Sequence, residues 1–314
     1  SIRRCIVAHD WMCLRLRFLF LLQKFFGACA LKRVATILLG KHHYDCVIGF
    51  RPGICSDLAA FSVQANRRIT WWHHGEFNVD RVAYDDMCSR MDAVAVVSQS
   101  CKEMLQGQLP GLADKLVYIP NMLDAVAIGQ KAGNSPYTGD MLHIVSVGRL
   151  APEKHFENVF PAAKALRQAG IDFAWHVIGD GPERSKLEAL IVENDLKDHV
   201  ILEGSKTNPY PYMKYADLFV HPSYVESQGL TVLEAMALGV PCVVTKSRGP
   251  CEFIEDGVNG LLIEQSPESL AEEVLAILND KKLYQRIKEN TKCPEQFGPE
   301  RVMKQIETMI DGER

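Results

Sequence analysis

The sequence predicts an α/β protein of two parallel-sheet units, on three observations. Its 314 residues are about two domains at the usual 100–200 residues each. Its second half alternates short β-rich runs with stretches of helical period, the grammar of a parallel sheet with crossover helices. Its first half repeats that grammar less completely. With 47% hydrophobic and 24% charged residues, 22 Gly and 15 Pro, composition excludes collagen-like, disordered and coiled-coil chains.

In chain order, residues 1–43 come first and hold eight Lys and Arg against Asp10 alone, a net +7 in a chain of net −4. Their longest apolar runs, such as residues 18–22, fall far short of the roughly 20 residues a membrane-spanning helix needs. Basic and rich in Leu and Phe, this stretch could meet anionic lipid headgroups or phosphate-bearing substrates. The alternative is a solvated, partly buried helix, because Arg15, Arg17 and Lys24 do not share one helical face. No small-residue cleavage site follows, so it does not read as a signal peptide.

Strands are expected over residues 45–50, 68–72, 93–97 and 116–119. Residues 125–141, with Gly129, Gly133, Asn134, Pro136 and Gly139, read as loop and hinge. Beyond them, strands over 143–147, 174–178, 199–202, 217–220, 241–244 and 260–263 alternate with helices over 157–168, 184–193 and 231–238. Gly170 and Gly239 fall where a left-handed residue ends a helix, Pro182 falls at a helix start, and the tail ends in a helix over 301–310. None of the ten cysteines forms a C-x-x-C pair and most sit in apolar runs, which fits a reducing, cytosolic compartment.

Four local patterns carry chemistry. In Glu226-Ser-Gln-Gly-Leu-Thr-Val-Leu-Glu234, the first carboxylate precedes a helix whose free N–H groups, from Gly229 to Thr231, point outward, and the second lies two turns further on. Unpaired donors and the helix dipole bind anions at such an end, and Gly229 lets a ligand approach the backbone. The flanking carboxylates could accept hydroxyls of a sugar and a ribose; the alternative makes Glu226 a helix-dipole partner and Glu234 a surface residue. In Ser146-Val-Gly148-Arg149-Leu-Ala-Pro-Glu-Lys154, a strand ends and a loop presents two cations that could hold a diphosphate, or form a solvated turn. Val177-Ile-Gly179-Asp-Gly181-Pro-Glu reads as a structural turn, since it lacks the G-x-G-x-x-G spacing of a dinucleotide site. Trp71-Trp72-His73-His74-Gly75-Glu76-Phe77 puts two imidazoles at the carboxyl end of a strand, where ligands of open α/β sheets bind; a lone His there is otherwise structural.

In this order the motifs resemble glycosyltransferase family 4, retaining enzymes of the GT-B architecture. The resemblance runs over about residues 44–278. It rests on Val-Gly148-Arg149-Leu with Lys154, Val-Ile-Gly-Asp-Gly-Pro-Glu, Ala216-Asp217-Leu-Phe-Val-His-Pro222-Ser223, the Glu226 and Glu234 pair, Gly257-Val-Asn259-Gly260-Leu-Leu, Val96-Val97-Ser98 and Ile119-Pro120-Asn121. It implies two Rossmann-like domains with parallel sheets facing across a cleft. Residues 1–136 would form the acceptor-side domain, 137–295 the nucleotide-sugar domain, and a helix over 296–314 would pack back on the first.

Carried over, the resemblance implies that Arg149 and Lys154, beside Gly148, bind the donor diphosphate. Glu226 would contact the donor sugar and Glu234 the ribose hydroxyls. Backbone N–H groups of Gly229, Leu230 and Thr231 would complete the cradle, and the loop after Glu203-Gly204 would meet the base. His74, or its neighbour His73, matches the histidine near the acceptor. No metal cofactor is expected, since the chain contains no D-x-D motif. Gln228 stands where many members carry Phe, which bears on donor preference. Members usually open with a strand, a glycine-rich loop and a helix, whereas residues 1–43 contain only Gly27 and Gly40. The first domain is therefore expected to lack that βα unit, and the parent chain to extend beyond Ser1.

The implied function is retaining transfer of a sugar from a nucleotide-diphosphate sugar, UDP-sugar favoured, to a hydroxyl of a glycan or lipid-linked acceptor in polysaccharide or glycoconjugate biosynthesis. The expected setting is cytoplasmic, at the inner face of the membrane if the basic start meets an anionic surface, with no nucleic-acid partner. The alternatives are a catalytically silent nucleotide-sugar-binding subunit and a GDP-mannose-dependent mannosyltransferase. The motif set argues against an epimerase of the same architecture.

Overall fold

The computed structural model describes residues 42–73 and 81–312, together with residue 36. The expectations for the basic start, for the missing opening unit and for His74 lie outside the described residues. The chain divides into two units, one of Ser1–Val97, Lys102–Ile119 and Ile306–Arg314, the other of Ser98–Cys101 and Pro120–Gln305.

The first unit carries four parallel strands in the order in which the chain makes them: β1 (His43–Gly49), β2 (Gln64–Trp72), β3 (Ala93–Val96) and β4 (Leu116–Tyr118). Helices α1 (Ile54–Phe61), α2 (Arg81–Ser89) and α3 (Gln99–Gln108) follow the first three strands. Every residue of β3 is buried, as an apolar run covered on both faces should be.

The second unit is a six-stranded parallel sheet. Its strands are β5 (Leu142–Val147), β6 (Phe173–Ile178), β7 (Val200–Gly204), β8 (Leu218–His221), β9 (Cys242–Thr245) and β10 (Leu261–Ile263), in spatial order β10-β9-β8-β5-β6-β7. Side chains alternate across a strand, and here both faces are apolar. Ile144, Leu218, Val220 and Val243 join one core with residues of α5 (Val159–Gln168), α6 (Arg184–Glu193) and α9 (Pro267–Asn279). Val145, Phe219, Cys242 and Val244 join another with α4 (Ala125–Lys131) and α8 (Leu230–Ala237). Helices α7 (Tyr210–Lys214), α10 (Lys281–Asn290) and α11 (Pro299–Asp311) complete the described set. The fully buried Trp175 donates its indole N–H to Ser146 Oγ at 3.1 Å, and that hydroxyl donates to the Val220 carbonyl at 2.7 Å. The large buried ring thus keeps its one polar atom satisfied.

The expected strands and helices of this half are present, with ends moved by a residue or two, and Gly170 and Gly239 take φ of 70° and 73°. The expected hinge is different. Residues 125–131 form α4, because Asp124 caps it by accepting from the Ala127 N–H at 2.9 Å and Ile128 is buried in the second core. Leu123 N–H also donates to the Phe297 carbonyl at 2.8 Å. The chain therefore enters the second unit at Pro120, ahead of the glycine-rich stretch whose composition suggested residue 136. At the other end, α11 runs past Ile306 into the first unit, where Met309 accepts from Arg67 Nε at 2.7 Å.

Candidate functional site

A doubly wound sheet opens where neighbouring strands send their connections to opposite faces, and ligands bind beyond the carboxyl ends at that point. In the second unit the order reverses between β5 and β8. The two segments emerging there are Gly148–Lys154 and Pro222–Gly229, the two strongest chemical patterns of the sequence.

Backbone packing shapes the floor of this place. Gly148 N–H donates to the Ile178 carbonyl at 3.0 Å, and Gly179 N–H to the Gly204 carbonyl at 3.0 Å. These three glycines thus follow one another across the ends of β5, β6 and β7. A Cβ on Gly179, at φ 149°, would lie 1.8 Å from the Gly148 oxygen. Val177–Glu183 is therefore a structural turn whose glycine lets one loop lie on another, as the spacing suggested.

The two loops are stapled together by side chains. Ser223 Oγ donates to the Glu153 carbonyl at 3.2 Å, and the Tyr224 ring stacks on His155 at 3.9 Å between centroids. Lys154 Nζ pairs with Glu226 Oε1, and His221 Nε2 lies 2.8 Å from that same oxygen. The Glu226 side chain is 13% exposed. Burial alone would raise its carboxyl, but the His221 hydrogen bond and charge, with the Lys154 ammonium, outweigh burial and hold it at about 2. Arg149 stands further out, paired with Glu153 on the surface.

Helix α8 begins after Gly229, whose φ of 82° and ψ of 52° are left-handed and whose missing Cβ would lie 2.9 Å from Pro250 Cγ. No side chain caps this end. Val232 and Leu233 N–H turn back to the Gly229 carbonyl, so Leu230 and Thr231 present N–H groups with no helical acceptor. Glu234 is half-buried one turn along and accepts from the Tyr210 hydroxyl at 3.0 Å. Burial raises its carboxyl against that hydrogen bond.

The expected residues Gly148, Arg149, Lys154, Gly204, Glu226, Gly229, Leu230, Thr231 and Glu234 thus all stand in the second unit. His73 directly follows β2 in the first unit, its ring 5.3 Å from Phe50 and parallel to Trp71 at 6.4 Å. Three other residues had no expected part. His221 falls, by strand alternation, on the same face as Phe219. Tyr210 reaches Glu234 from α7. Asn121 meets Gln228, which is only 4% exposed: Gln228 Oε1 accepts from Asn121 N–H at 2.8 Å and from its Nδ2 at 2.7 Å, and Gln228 Nε2 donates back to the Asn121 carbonyl at 3.3 Å. The Gln228 amide is therefore spent on Asn121. The sequence signal available for His221 was a histidine interrupting an apolar strand at its carboxyl end.

A family profile described as "Glycosyl transferases group 1" matches residues 134–293. The chain is 36% identical over 151 residues to the alpha-D-kanosaminyltransferase of Streptomyces kanamyceticus, covering 47% of this chain and 39% of that protein. It is 30% identical over 200 residues to the N-acetyl-alpha-D-glucosaminyl L-malate synthase of Bacillus anthracis, covering 62% and 51%. It thus spans about 40–50% of the length of these curated relatives. A solved structure, Anabaena HepE in complex with UDP, is similar with a TM-score of 0.73 at 18% identity, over 90% of this chain and 82% of that one. The two parallel-sheet, Rossmann-like units are those of GT-B glycosyltransferases.

Proposed function

Since the chain belongs to the group 1 glycosyl transferases, we propose that it moves a sugar from a UDP-sugar to a hydroxyl of a glycan or lipid-linked acceptor, with retention of anomeric configuration. The observation that carries this is the ionised, buried Glu226 with Lys154 on one of its oxygens, beside the uncapped N-terminus of α8, at the switch point of the sheet. A UDP complex of a similar structure supports the uridine nucleotide.

In this proposal the sugar's anomeric carbon loses its bond to the diphosphate oxygen, and the electron pair leaves with UDP. The acceptor oxygen bonds the same face of that carbon, and its proton passes to the departing phosphate oxygen. Charge grows on the diphosphate as the bond breaks. Lys154, Arg149 and the N–H groups of Gly229, Leu230 and Thr231 supply preorganised positive charge for it, which is where transition-state stabilisation is largest. The same groups supply what a divalent ion supplies elsewhere, so the reaction needs no metal. Glu226 holds the donor sugar, Glu234 the ribose hydroxyls and the segment after Gly204 the base. His74 or His73 attends the acceptor.

The test is nucleotide release. The protein incubated with UDP-sugars and a glycan acceptor releases UDP, with or without EDTA. Release from GDP-mannose alone would make it a mannosyltransferase of that donor. UDP binding without release from any common donor would make it a nucleotide-sugar-binding subunit.

A further inference from the structure

His221 is buried beside Glu226, at 3% exposure, and nothing in the proposed chemistry uses it. A buried imidazole must satisfy its ring nitrogens, and His221 Nε2 does so on Glu226 Oε1 at 2.8 Å. Its ring lies parallel to Phe219, 6.3 Å away at 11°, on a strand packed on both faces. The donor is thus fixed by the core of the sheet, whereas Glu226 sits on a loop.

Both Lys154 and His221 converge on Oε1, and no hydrogen bond to Oε2 is found among the described residues. These two partners differ in permanence. Lys154 is a long, flexible cation whose three donors the diphosphate of a bound donor would draw toward itself, loosening its hold on Glu226. His221 cannot follow, because its ring is held in the sheet. A Glu side chain left without partners regains rotamer freedom.

We propose that His221 is a positioning residue: it keeps Glu226 Oε1 anchored after Lys154 has turned to the diphosphate, so that Oε2 stays aimed at a hydroxyl of the donor sugar. The inference rests on the reading of Glu226 as the donor-sugar contact. It makes the effect of His221 specific to the sugar, with the nucleotide held independently.

The test uses two amides of the same chemistry and different reach. In His221→Gln the side-chain nitrogen stands where Nε2 stood. In His221→Asn it stops about one bond shorter, near the place of Nδ1. Calorimetry on the whole chain measures the dissociation constants of UDP, UDP-glucose and UDP-N-acetylglucosamine. For the UDP-sugar that wild type binds better, His221→Asn should raise the ratio of its dissociation constant to that of UDP about tenfold, with UDP itself within twofold of wild type. His221→Gln should keep the ratio within twofold, and Glu226→Gln should raise it as His221→Asn does. An unchanged ratio in His221→Asn, or equal loss in both amides, overturns the inference. Equal weakening of UDP and UDP-sugar in His221→Asn overturns it too, since that is the mark of a merely structural histidine. Wild type that binds none of the three overturns the proposed function, and this inference with it.

Discussion

Replacing Glu226 by Gln keeps the shape of the side chain and removes its charge, so the variant stands in for the protonated carboxyl at every pH. The wild-type group ionises at about 2 in the folded chain against 4.5 for a free Glu. The folded value is depressed, so its contribution is full above about pH 4.5 and fades as pH falls through 2. At 1.36 kcal/mol per tenfold, the ionised form contributes about 3 kcal/mol of stability at pH 7 and about 1 kcal/mol at pH 3. Urea denaturation of both proteins at the two pH values measures this directly. Glu226→Gln should be less stable by about 3 kcal/mol at pH 7, with the gap closing by about 2 kcal/mol at pH 3. A gap that stays constant, or widens on acidification, would show that Lys154 and His221 do not hold the carboxylate as described.

Four other perturbations test separate parts. Glu234→Ala should weaken UDP binding by about 1.5–3 kcal/mol, the worth of a hydrogen bond to a charged acceptor; an unchanged calorimetric affinity removes Glu234 from the ribose site. Gly179→Ala sets a Cβ 1.8 Å from the Gly148 oxygen, so it should cost more than about 3 kcal/mol, and a melting temperature within about 2 °C of wild type would contradict the loop packing. Gln228→Leu strips the acceptor from two Asn121 donors and should cost about 1–3 kcal/mol in urea denaturation, whereas a neutral result would mean the clasp is not made in solution. Anionic vesicles should co-sediment the whole chain through the net +7 of residues 1–43, and release it as salt shortens the screening length from about 30 Å at 0.01 M to about 8 Å at 0.15 M; salt-independent or absent binding would leave that stretch a solvated helix.

The second unit was legible because its strands are apolar on both faces and two of its helices, α5 and α8, are followed by glycines at positive φ, both local signals. The α4 segment was not, since Gly129 within it and Gly133 just beyond it suggest a loop, while Asp124 and Ile128, which make it a helix, act through a cap and a distant core. The site divides in the same way. Arg149, Lys154, Glu226 and Glu234 announce themselves by charge at strand and helix ends. Tyr210 lies 24 residues from Glu234 and Asn121 lies 107 from Gln228, so only the folded chain joins them. His221 is five residues from Glu226, yet its place in an apolar strand gave it the look of core.

The most direct test of the donor site is a crystal structure of the protein with UDP bound. The β-phosphate should lie within hydrogen-bond distance of the Leu230 and Thr231 N–H groups, with Lys154 moved from Glu226 to phosphate and the ribose hydroxyls on Glu234. A nucleotide seated away from the β5 and β8 strand ends, with Lys154 still paired to Glu226, would contradict the account.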